Sequence, residues 1–142
     1  MAASRGLTLL ELLVVLAIVG VVSAALWTSW YTGADRRLDR QAETLQSQIE
    51  AVRIQARLRG QAVEWAWDEQ GWSWRGLPSE ALPELPRRQT WLLPATAVHL
   101  EPTQAQLRLG PEPMGPPWRL ELHHGAQRRA LVFAGWGAVR LE

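Results

Sequence analysis

The sequence predicts an α+β fold, with one long N-terminal helix packed on an antiparallel β-sheet domain. Three observations lead there: an apolar run near the N-terminus, an amphipathic stripe at helical spacing just behind it, and a change to two-residue periodicity after Gly60.

The apolar run comes first. Between Glu11 and Asp35 there is no formal charge, and Leu12 to Trp27 is almost wholly aliphatic, broken only by Gly20 and Ser23. About twenty apolar residues are enough to span a hydrocarbon core, so this segment is expected to cross a membrane. Arg5 is the one basic residue ahead of it, which favours a cytoplasmic N-terminus and sends the rest of the chain to the other side. Trp27, Trp30 and Tyr31 fall where the helix would leave the bilayer, the depth that amphipathic rings prefer. They are expected to form an interfacial belt, the alternative being ordinary surface residues on a helix.

Glu11 stands at the start of the apolar run. At bilayer depth a carboxylate is unfavourable by about 2.5 to 3.5 kcal/mol, so it needs a partner there unless it is solvated among headgroups. Cutting the chain between Gly6 and Leu7 would create an α-amine on Leu7, one helical turn from Glu11. That amine could neutralise the carboxylate within one chain or across two.

Behind the run, Leu38, Ala42, Leu45, Ile49, Val52 and Ala56 recur at alternating spacings of four and three, which marks one helical face. Arg37, Asp39, Arg40, Glu43, Gln46, Glu50 and Arg53 are expected on the polar side. Gly33 is expected to bend or fray the helix, and Arg57 and Arg59 followed by Gly60 should end it. A continuous helix from Leu7 to Arg59 would be roughly 80 Å long, more than a domain of this size can bury.

After Gly60, Val63, Trp65 and Trp67 alternate on one strand, and Trp72 and Trp74 on the next, with Asp68-Glu69-Gln70-Gly71 as the turn. The stretch from Leu77 to Pro94, with Pro78, Pro83, Pro86 and Pro94, is expected to be a surface loop. Further strands are expected at residues 97–100, 104–109, 118–123, 128–133 and 138–141, with GPEPMGPP between two of them.

The totals narrow the function. At 142 residues, one small domain remains once the apolar segment is set aside. A formal net charge of +1, with Arg spread along the chain, predicts no nucleic-acid partner. The absence of Cys excludes disulfides, thiolate nucleophiles and sulfur-ligated metals. His123 and His124 are adjacent in a strand and point to opposite faces, and His99 is isolated, so no metal is expected. The G-x-G at Gly135 to Gly137 has too little chain behind it for a phosphate-binding helix and reads as a turn or bulge. No G-x-S-x-G occurs, so no hydrolytic triad is expected. Trp65, Trp67, Trp72 and Trp74 could form a sugar platform, but packing is the expectation. Arg87-Arg88 and Arg128-Arg129 read as solvated or structural. No catalysis and no cofactor are expected.

Gly6, then Leu-Thr-Leu-Leu-Glu, then the unbroken apolar run resembles the class III signal of type IV pilins and type II secretion pseudopilins. The resemblance implies a pilin-like fold, cutting after Gly6 by a prepilin peptidase, N-methylation of Leu7 and use of Glu11 in filament assembly. Leu7 stands where that family most often has Phe. The order of elements, from LQSQIEAVRIQARLRGQAVEW into a Trp-containing hairpin and on to RRALVFAGWGAVRLE, resembles the GspH/FimT group of these proteins. That implies a minor pseudopilin of type II secretion, at or near the tip of a periplasmic filament that drives folded proteins across the outer membrane. It also implies single-pass anchoring in the bacterial inner membrane with a periplasmic C-terminal domain. Other pseudopilins, the prepilin peptidase and the membrane would be its partners, with no small-molecule substrate. The expected division is a leader at 1–6, a membrane and filament-packing helix at 7–33, an amphipathic helix at 34–60 and a β-rich domain at 61–142. A minor pilin of a type IV pilus, acting in assembly, adhesion or DNA uptake, is the second reading. A single-pass membrane protein with a sugar-binding Trp domain is the third.

Overall fold

The computed structural model describes residues 9–142, with the side chains of residues 24–32, 34 and 35 outside the described set. The chain divides into two compact units, one ending at Ala34 and the other covering Asp35–Glu142. Helix α1 is Leu9–Arg59, 51 residues, so the two helical stretches predicted from the sequence are a single element.

In the first unit, the large apolar side chains from Leu9 to Val22 are all half exposed or more. A helix that is apolar on every side has no single face to turn inward, and these residues find no core in their own unit. Ser23 satisfies its hydroxyl locally by donating to the Val19 carbonyl at 2.7 Å.

The second unit shows the opposite pattern. Leu38, Ala42, Leu45, Ile49 and Val52 are fully buried and Ala56 is nearly so. The alternating spacing keeps these six on one stripe, as predicted. The helix ends in a Schellman arrangement: Gly60 adopts φ 63°, Gln61 N donates to Ala56 O at 3.1 Å, and Gly60 N donates to Arg57 O at 3.3 Å.

Eight strands follow: β1 Val63–Trp67, β2 Gly71–Arg75, β3 Arg88–Thr90, β4 Ala97–Glu101, β5 Gln106–Leu109, β6 Trp118–His124, β7 Gln127–Phe133 and β8 Arg140–Leu141. They form two antiparallel sheets rather than one, ordered β3-β2-β1-β5 and β4-β6-β7-β8. Inward residues of both sheets join the stripe of α1 in one core, including Trp65, Trp72 and Trp74 from the first sheet and Leu120, Leu122 and Leu131 from the second. The β1–β2 hairpin sets Trp65 opposite Trp74 and Trp67 opposite Trp72. Its turn is fixed by Asp68, whose Oδ1 accepts from Gln70 N at 2.9 Å and from Gly71 N at 3.0 Å.

The Pro-rich stretch departs from expectation. Leu77, Ala81, Trp91 and Leu93 are buried, and β3 lies within it, pairing with β2. Prolines remove ladder donors but do not prevent the apolar residues between them from covering a core. Local turns take up part of the backbone demand, with Ala81 N donating to Pro78 O and Leu85 N to Leu82 O. Gln41, fully buried on α1, accepts from Leu92 N at 2.7 Å and ties the stretch to the helix.

Gly71 makes the β2–β3 pairing possible. A Cβ there would lie 1.8 Å from the Gln89 carbonyl oxygen, which is backbone and cannot step aside. Gly71→Ala is expected to force β3 away and to cost about 3 kcal/mol, at the upper end of typical overpacking penalties. A urea unfolding curve checks this, and an unchanged midpoint would contradict it.

Candidate functional site

Glu11 lies in the first turn of α1, where a carboxylate meets the positive end of the helix dipole, and it is exposed. Gly6 and Leu7 lie outside the described residues. Trp27, Trp30 and Tyr31 are within α1, with their side chains outside the described set. Among the described residues no helix is long and apolar enough to cross a membrane. The apolar run read from the sequence, Leu12 to Trp27, extends past the last of its described side chains, Ser23.

On the second unit, the polar side of α1 is not simply solvated. Gln46 Nε2 donates to Val139 O at 2.8 Å, Glu50 accepts from Val139 N, and Arg53 donates to Gly137 O at 3.1 Å. Arg53, expected at the surface, is only 6 % exposed. Its guanidinium lies 4.2 Å from the centre of the Phe133 ring and 3.1 Å from Glu50. Burial lowers its pKa and the Glu50 carboxylate opposes that, so the ion pair and the ring keep a buried cation tolerable. Three helix residues thereby clamp the segment that leads into β8. A further tie joins Arg129 of β7 to Asp39.

Other ionic groups act as braces. Arg88 pairs with Asp68 at 2.7 Å, and this bond, aided by the Gln70 and Gly71 amides, holds the Asp68 carboxyl below the usual range. Arg119 and then His123 do the same for Glu121. These two carboxylates are therefore held ionised, which suits ion pairing rather than proton transfer. His123 Nε2 lies 2.9 Å from Glu121 and His99 Nε2 lies 3.8 Å from Glu101. No group of three or more His, Asp or Glu positioned for a metal occurs among the described residues.

The four Trp residues considered as a sugar platform are brought together, but inward. Trp65, Trp72 and Trp74 are buried and Trp67 packs partly against the core, with Trp65–Trp67 centroids 4.9 Å apart and Trp72–Trp91 centroids 4.7 Å apart. Trp136, which sequence reasoning passed over as part of a turn, is 70 % exposed. Its flanking residues Gly135 and Gly137 both have positive φ, and that dipeptide context was the available signal.

The prokaryotic N-terminal methylation motif matches residues 1–27. The family described as Type II transport protein GspH matches residues 41–137, well over half of the chain. The chain belongs to the GspH family. No curated protein and no solved structure matches it.

The GspH match begins at Gln41, runs through the buried stripe of α1 from Ala42 onward and all of β1 to β7, and ends at Gly137, the residue that accepts from Arg53. Together with the methylation motif it makes the chain a GspH-like minor pseudopilin of type II secretion, with a pilin-like α+β fold. The family pattern therefore lies on the helix and sheet core, and the methylation motif overlaps the exposed apolar part of α1 from Leu9 to Val22.

Proposed function

We propose that this GspH-family pseudopilin is cut after Gly6, methylated at Leu7, held in the bacterial inner membrane by the first half of α1, and built into the tip region of a periplasmic pseudopilus. It acts as a structural subunit and performs no chemistry. Its partners are the prepilin peptidase during maturation and the other pseudopilins thereafter.

One observation carries the reading: a single helix is exposed and apolar on all sides from Leu12 to Val22 and buried along one stripe from Leu38. Each large aliphatic side chain gains about 1.5 to 3 kcal/mol when taken out of water, so the first half strongly favours lipid or neighbouring helices over solvent. Both environments serve in turn, lipid before assembly and other subunits after it. Trp27, Trp30 and Tyr31 mark the outer interface in the first state. Residues 1–6, 7–33, 34–60 and 61–142 are the leader, the packing helix, the amphipathic helix and the periplasmic head. Glu11 pairs with the Leu7 α-amine of a neighbour and sets axial register, since a buried charge is tolerable only when matched.

Glu11→Gln tests this role. The apolar run is unchanged, so membrane insertion should stay at the wild-type level, whereas co-purification with the other pseudopilins should fall about tenfold or more, the effect of losing about 1.4 kcal/mol or more. Equal co-purification of variant and wild type would remove the charge-pairing role.

A further inference from the structure

A cavity of about 240 Å³ opens beside the Trp136 turn. Leu100 of β4, Leu107 of β5, Trp118 of β6 and Phe133 of β7 give it an apolar lining, with the Arg53 guanidinium at one wall. Engineered apolar cavities of about 150 Å³ already hold benzene, so this one has room for a single large side chain. Met114, from the loop joining β5 to β6, lines its rim and is 70 % exposed.

The two loops that carry Met114 and Trp136 are joined. Gly115 N donates to Gly135 O at 2.9 Å, and a Cβ on Gly135 would come within 2.9 Å of Gly115 O, so the loops touch through their backbones. On the other side of the turn, Gly137 and Val139 are held by Arg53, Glu50 and Gln46 of α1. The two most exposed large apolar residues of the β-rich part are thus fixed on a braced frame beside a hole. Arg108 and Glu112 also line the hole, and neither has an ion-pair partner among the described residues. Apolar anchors in a rigid setting, ringed by charges free to pair outward, make up the anatomy of an interaction hot spot.

We propose that the Met114 and Trp136 loops form the docking surface for a neighbouring pseudopilin, which inserts one apolar side chain into the cavity and meets Arg108 and Glu112 with opposite charges. This rests on the subunit role proposed above and names the surface through which it is exercised. A preformed hole for one side chain selects one partner, and it does not suit secreted proteins whose folded surfaces differ from one another. The direct brace to α1 also fits a subunit contact, because Gln46, Glu50 and Arg53 hold the docking loop in place within the second unit.

The test uses the full chain, co-expressed with the other pseudopilins of its own secretion system and carrying a photo-cross-linking residue at position 136, or at Leu92 as an exposed control elsewhere in the second unit. An adduct with another pseudopilin from position 136, identified by mass spectrometry and absent from position 92, is the expected result. Trp136→Ala should lower co-purification with that partner about tenfold or more, and Arg108→Glu, an exposed change that leaves the apolar lining intact, should lower it as well. Adducts only with a second copy, a secreted protein or lipid, or no adduct, overturn the docking surface. If the chain is nonetheless processed after Gly6 and found with the pseudopilus, only the surface is wrong. If it is unprocessed and absent from the pseudopilus, the subunit reading fails and the surface with it.

Discussion

Trp65→Ala is expected to lower the stability of the second unit by about 3 to 5 kcal/mol, the usual loss for truncating a buried Trp. Trp65 is fully buried, packs on Trp67 at 4.9 Å and sits opposite Trp74 in the hairpin, within the core that α1 shares with both sheets. Domains of this size are stable by only about 5 to 15 kcal/mol, so the loss would consume much of the total. Urea denaturation of a fragment beginning at Asp35 measures it, with a lower midpoint and an unchanged slope expected. A loss below about 1 kcal/mol would place Trp65 outside the energetic core and reopen a ligand-binding use of the hairpin.

Gly6→Trp is expected to abolish processing. A bulky side chain next to the proposed scissile bond should block the proposed cut, so residues 1–6 should remain on the chain. Mass spectrometry of the membrane-extracted protein would show the leader mass retained, and a normally cut N-terminus would move the site away from Gly6. The consequence reaches beyond the leader. Without the cut, Leu7 never gains its α-amine, and Glu11 loses the cation proposed to match it. Gly6→Trp should therefore reproduce the assembly defect of Glu11→Gln, and the two together should be no worse than either alone.

Most of the fold was legible because its periods are unambiguous. The six stripe residues from Leu38 to Ala56 have only one helical face to share, and all six are buried. Alternation placed the β1–β2 hairpin and its Asp68 turn within a residue, and the Schellman end at Gly60 followed from the glycine itself. Division into two sheets was not legible, since pairing partners are set by contacts between distant segments and leave no mark on the period of either strand. The burial of Trp91 and Leu93 was hidden for a related reason: proline content reports on ladder pairing, whereas burial is decided by what lies above the core.

The candidate sites divide in the same way. Glu11 stood out because a carboxylate beside an apolar run breaks the local pattern. Arg53 could not be found, because an Arg among other polar helix residues looks solvated, and its burial depends on Phe133 and Gly137 far along the chain. Trp136 was missed because a turn between two glycines does not say where the side chain within it points, and its 70 % exposure shows only in the fold.

The clamp between α1 and the segment before β8 also sets an order of events. Gln46, Glu50 and Arg53 bond to residues 93, 89 and 84 positions further along the chain. During synthesis or translocation the helix can form early, from local hydrogen bonds alone, but its clamping groups stay unmatched until Gly137 and Val139 have emerged. Closure of the core is therefore a late, long-range step. A chain stalled a few residues short of Gly137 would leave Gln46, Glu50 and Arg53 without these partners while already carrying β1 to β7.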